Sequence, residues 1–174
     1  MSAEHKTPLS GEDHASESAE EPSIFVQPEG RDWFLAWLIG LADTYNIEQV
    51  ITLTVGGTLI TGRLIGGWRY FRELGQLILN ADVAAKVDDP SSFQTELAES
   101  YSQWTEVYPE PDPSKWAQKD QPIANPNPNP RYIHLRNVRF VTADGAAISS
   151  VGTLWRGKLA AVDGFSLGEI EPGG

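Results

Sequence analysis

Between Gln49 and Gly66 apolar and polar residues alternate on both sides of Gly56-Gly57, the pattern of two strands joined by a two-residue turn. Setting Val55 opposite Thr58 places Leu53 opposite Ile60 and Ile51 opposite Gly62, so Ile51, Leu53, Val55, Ile60 and Leu64 share one face. A glycine facing a large Ile predicts a sharply bent second strand. Helical spacing precedes and follows this hairpin. Trp33, Trp37, Ile39 and Leu41, flanked by Phe34 and Leu38, form a helix apolar over most of its circumference, with Asp32 or an upstream residue placed to cap it. Such a helix is expected to pack across a sheet, with Trp33 and Trp37 in the core. From Trp68 onward Phe71, Leu74, Gly75 and Ile78 recur at helical intervals, and a further helix is predicted at about 91–107, its stripe Phe93, Leu97, Tyr101 and Trp104, its cap Asp89, Ser91 or Ser92. Tyr132 to Val141 reads as a strand whose phase slips between Leu135 and Val138, predicting a bulge near Arg136-Asn137. The stretch from Gly152 to Ile170 reads as a hairpin, Leu154–Ala161 and Phe165–Ile170, turning at Val162-Asp163-Gly164. The expected fold is therefore α+β: a small five-stranded antiparallel SH3-like or Sm-like barrel or sheet, with an N-terminal helix and a helical insertion.

Composition changes this picture mainly at its edges. Residues 1–22 hold six acids, one Lys and almost no large apolar side chains, too little to offset the entropy of ordering, so they read as a disordered acidic tail. Residues 81–130 read as an insertion, acidic and helical first and then rich in Pro and Asn, where prolines at every second position remove backbone donors. A single folded domain of residues 23–80 and 131–170 is left, with a short tail at 171–174. The net charge of -11 lies in residues 1–22 and 81–120, and the remainder sums to zero. Nucleic-acid binding, which draws on clustered Lys and Arg, is disfavoured. Without any cysteine there are no disulfides, thiolate metal sites or cysteine nucleophiles, which suits a reducing, cytoplasmic setting. The longest apolar run, Trp33 to Ala42, is about half a membrane span.

Candidate chemistry is sparse. His5 and His14 fall in the tail, and His134 alternates with Ile133 and Leu135, so it points away from the core and is expected to be solvated. Asp163 before Gly164 reads as a turn residue whose carboxylate accepts from backbone N–H groups. Ser149, Ser150 and Ser166 lack a nucleophile elbow, the glycine pairs do not form a phosphate loop, and no metal or cofactor site is expected. This is the reading of a non-enzymatic binding protein. Six tryptophans stand out, with Trp68 and Trp155 each followed by an arginine, because aromatic and Arg side chains dominate interface hot spots.

The blocks Tyr132-Ile133-His134-Leu135-Arg136-Asn137, Leu154-Trp155-Arg156-Gly157-Lys158-Leu159, Val162-Asp163-Gly164-Phe165 and Leu167-Gly168 resemble the C-terminal signature of the gas vesicle protein GvpU family. The order of helix, hairpin and aromatic helix at Tyr70-Phe71 is similar to that family over residues 31–80. The resemblance implies a non-catalytic accessory protein that associates with gas vesicle structural or accessory proteins and influences clustering or assembly without forming the shell; a homo-oligomer is a further expectation that the resemblance does not carry. The matching positions are Trp155, Arg156, Gly157, Lys158, Asp163, Gly164 and Phe165. A partner-binding patch of Trp155, Arg156 and Lys158, with Phe165 and His134, is the resulting expectation. The alternative is an Sm-like RNA-binding module, suggested by Arg156-Gly157 after the bent Gly62 strand. Against it, Gly66-Gly67-Trp68 stands where the first Sm motif would need its Asp and Asn.

Overall fold

The hairpin forms in the expected register: strands β1 (Gln49–Val55) and β2 (Thr58–Ile65) pair Val55 with Thr58, Leu53 with Ile60 and Ile51 with Gly62. Both turn residues, Gly56 and Gly57, have positive φ, which the tight turn requires. The computed structural model describes residues 32–81, 89–108, 110–114, 129–142, 146, 148 and 153–169. The predicted tails at 1–22 and 171–174, and the Pro/Asn-rich stretch before Asn129, lie outside these residues.

Helix α1 (Trp33–Tyr45) starts at Asp32, whose carboxylate accepts from the Leu35 N–H at 2.9 Å, and ends at Asn46 in the left-handed conformation. Its Leu35, Ile39 and Ala42 meet Ile51, Leu53, Ile60 and Leu64 in one core, which Ile133, Leu135, Val138 and Leu159 complete. Trp33 does not join it. Nearly half exposed (46%), that ring sits at the first helical position, above the sheet's reach, and rests against Phe34.

Helix α2 (Gly67–Leu79) follows β2 directly, and α3 (Pro90–Gln103) packs antiparallel to it after the chain reverses. Asp89 caps α3 by accepting from the Ser91 and Ser92 N–H groups. The α-helix stops at Gln103, four residues short of a continuous helix to Val107; Trp104–Val107 tightens into a 3-10 turn. Strand β3 (Tyr132–Val141) carries the bulge at its predicted place. Thr61 pairs with Arg139 but Arg63 with Arg136, so one β2 residue, Gly62, faces two on β3, and Asn137 takes a φ of 52°. The slip returns Val138 to the core side, where it is fully buried.

The last two strands do not form the expected hairpin. The sheet order is β4-β3-β2-β1-β5, so β4 (Trp155–Lys158) and β5 (Gly164–Leu167) occupy its opposite edges, joined by the 3-10 helix Leu159–Ala161 and two further residues. In a flat sheet Lys158, beside Tyr132, and Gly164, beside Thr54, would lie roughly 35 Å apart, whereas the chain between them reaches at most about 21 Å. The sheet must therefore be strongly coiled, with its edges brought toward each other, although β4 and β5 share no ladder. Two backbone bonds help hold the crossing in place. The Leu159 N–H donates to the Arg131 carbonyl at 3.0 Å, and the Asp163 N–H to the Thr54 carbonyl at 2.8 Å.

Candidate functional site

Alternation along β3 and β4 decides which of the predicted site residues can act together. Cα pairing of Tyr132 with Lys158, His134 with Arg156 and Leu135 with Trp155 places Tyr132, His134, Arg156 and Lys158 on the outer face of the sheet. Trp155 falls on the inner face, against the core, with its ring lying over Gly157, where a β-carbon would come within 2.2 Å of it. Phe165 also packs on the core, beside Phe34. The structure thus separates Trp155 and Phe165 from Arg156 and Lys158. Interaction through the basic side chains and through those two rings would engage opposite faces.

His134 is buried, not solvated. Helix α2 and the segment after α3 cover the outer face at this end of the sheet, and Tyr70, Tyr108 and Phe71 surround the imidazole with ring centroids at 4.8, 5.4 and 6.1 Å. The Arg156 Nε–H donates to His134 Nε2 at 3.3 Å, which leaves the imidazole proton on Nδ1, an atom with no hydrogen-bond partner among the described residues. Burial, reinforced by the Arg156 charge, lowers the His134 pKa to about 3, so the ring is neutral at physiological pH. Burial likewise pushes the Tyr70 and Tyr108 phenols up.

Arg156 is the hinge of the site. Its guanidinium lies over the Tyr132 ring at 3.4 Å, reaches the Phe71 ring at 5.9 Å and interacts with the Tyr108 phenol. Arg69 and Arg136, by contrast, are ion-paired with Glu48 and Glu73 in a network that ties α2 to β3 and to the turn before β1, and Arg139 pairs with Glu169. Among the described residues no carboxylate lies within 4 Å of the Arg156 guanidinium nitrogens.

Beside this arginine opens a cleft of about 490 Å³. Tyr108 and Phe71 form its aromatic wall, Trp104 and Val107 its outer lip, and Tyr132 with Arg156 the sheet side; Asp43 and Thr44, at the end of α1, meet it from below. Two glycines make this possible. A β-carbon at Gly67 would fall 2.2 Å from the Tyr108 ring, and one at Gly66 would fall 2.7 Å from the Ala42 carbonyl oxygen, so Gly66-Gly67 lets both α1 and Tyr108 close on the start of α2. Buried Asp43 secures the junction by accepting from the Gly67 N–H at 2.8 Å. Sequence reasoning singled out Arg156 and missed the rest of the lining. Tyr132 was accessible, being two residues from His134 on the same face, whereas Tyr108 sits in a proline-rich stretch with no periodicity to signal its docking.

Asp163 does not occupy the expected hairpin turn, and its carboxylate accepts from a distant N–H instead of a nearby one. Its Oδ2 accepts from the Gly56 N–H at 2.7 Å, joining the β4–β5 crossing to the β1–β2 turn.

The family profile described as gas vesicle protein GvpU-like matches residues 32–170. The chain belongs to this family. The match spans the whole sheet, all three helices and every residue lining the cleft, including segments between 81 and 130 in which the four quoted blocks have no part. Membership in the GvpU-like family makes this a gas vesicle-related protein. No curated protein and no solved structure matches the chain. Among the described residues no helix is long and apolar enough to cross a membrane.

Proposed function

We propose that this protein is a non-enzymatic gas vesicle accessory protein, working in the cytoplasm at the vesicle, which binds vesicle structural or accessory proteins and thereby influences clustering or assembly. The family match over residues 32–170 carries this reading. The outer face supports it with exposed Arg156 and Lys158 beside aromatic rings, a combination suited to protein recognition. The acidic stretches at 1–22 and 81–120 would add like-charge repulsion between neighbouring copies and so tune how closely decorated vesicles approach. Co-flotation of the full-length protein with isolated gas vesicles across a salt series tests the reading. Enrichment in the buoyant layer that weakens as salt rises is expected; protein remaining in the subnatant at every salt concentration would overturn direct vesicle binding.

A further inference from the structure

We infer that the cleft beside Arg156 is a docking site for an extended peptide segment of a partner protein, one that presents a single carboxylate next to a proline or aromatic ring. This deepens the vesicle-binding reading and rests on it for the partner's source, but the chemistry comes from the cleft alone. The guanidinium of Arg156 is held on three sides, by the Tyr132 face, the Tyr108 side chain and His134 Nε2. Little side-chain entropy is left to lose, so an incoming carboxylate meets a preorganised donor. Arg69, Arg136 and Arg139 are already matched to glutamates; Arg156 is not. Arg131 also lines the cleft, so two guanidinium groups stand against the single carboxylate of Asp43 there.

Next to that charge the lip is apolar and open. Trp104 is 54% exposed and Val107 is 65% exposed; the Trp104 ring packs against Phe71 at a centroid distance of 6.3 Å, so an incoming ring can stack on its exposed side. Aromatic-lined grooves of this kind suit proline and aromatic side chains, whose few rotatable bonds make their ordering cheap. A polyanion fits less well. The chain carries a net charge of -11 and Glu106 flanks the lip, so each added phosphate would meet repulsion that one carboxylate, paired directly with Arg156, avoids.

The test uses the full-length, isotope-labelled protein and two small probes, N-acetyl-Pro-Phe-Glu-amide and its Gln counterpart, followed by chemical-shift titration. Expected are shifts confined to Arg156, Tyr132 and the Trp104 indole N–H, with the Glu probe binding about tenfold more tightly than the Gln probe, the difference one charge-assisted hydrogen bond supplies. Arg156→Gln should lower the Glu probe's affinity to that of the Gln probe. Trp104→Ala, at an exposed position that leaves the core intact, should weaken both probes about equally, and Arg63→Gln on the same sheet should change neither. Equal affinities for the two probes, shifts spread over the surface, or full binding by Arg156→Gln would each overturn the assignment. So would a uridine-rich oligonucleotide that moves the same resonances at lower concentration than the peptide. Peptide binding without vesicle flotation would reject the vesicle reading and keep the cleft; flotation unaffected by Arg156→Gln, with no peptide binding, would do the reverse.

Discussion

His134 is the residue whose chemistry departs furthest from its sequence context. Its pKa is near 3 in the fold against an ordinary 6.5, because the three surrounding rings exclude water and Arg156 adds a like charge. The unfolded chain therefore takes up a proton near pH 6.5 that the folded chain refuses until about pH 3. The neutral imidazole imposes no penalty above pH 6.5, and stability is lost progressively as pH falls below that value. The slope approaches about 1.4 kcal/mol per pH unit once the unfolded imidazole is charged. Urea unfolding at pH 7, 6 and 5 should show His134→Phe losing its disadvantage relative to the parent as the pH falls; parallel stability curves for the two proteins would refute the buried neutral imidazole. Alternation alone placed His134 on the outer face, correctly, but whether that face is wet depends on Tyr108 and helix α2, which no local pattern near residue 134 reveals.

At the scale of elements, α2 and α3 come close together at Gly75. A β-carbon there would lie 3.1 Å from the Ala98 carbonyl oxygen and 2.4 Å from the Ser102 hydroxyl, so the helices approach backbone to backbone. Gly75→Leu is expected to push α3 off α2 and to open the cleft, since the turn carrying Trp104 and Val107 continues from α3. Faster proteolysis within residues 89–107 and a shifted Trp104 emission should result, while the sheet's circular dichroism stays; unchanged cleavage would show that the contact is dispensable. The helical spacing of Phe71, Leu74, Gly75 and Ile78 was legible because period 3.6 is a local property. The shift to a 3-10 turn at Trp104 was not, since it reflects how the chain leaves α3 to bring Tyr108 over Gly67.

For the whole molecule, the coiled sheet depends on a crossing held from both ends. Asp163 fastens it to the hairpin turn through its side chain to Gly56 and its N–H to Thr54. Asp163→Ala removes one charge-assisted bond at an exposed site, with an expected cost of about 1 kcal/mol and a fall in Tm of a few degrees. Asp163→Asn should recover part of it, because the amide oxygen can still accept. A thermal melt of the three proteins checks this, and identical midpoints would show that the crossing is held by the backbone bonds alone.

Local rules sufficed for the number of strands, the β1–β2 register and the bulge at Asn137, and narrowed the helix caps to a few residues that include Asp32 and Asp89, because each is decided by residues within a few positions of one another. Family membership was legible from short blocks for a similar reason: Gly157 makes room for Trp155, and Asp163-Gly164 places the crossing, so the fold constrains those positions directly. The tertiary structure alone decided that β4 and β5 part to opposite edges. Their lengths and the turn at Val162-Asp163-Gly164 suit a hairpin equally well, and it is the competition for the free edge of β1, won by β5, that separates them. It alone also brought Trp104 and Tyr108, Tyr132, and Arg156 from three distant segments to one cleft, since burial of polar and aromatic groups depends on what long-range packing places above them and not on the sequence around each.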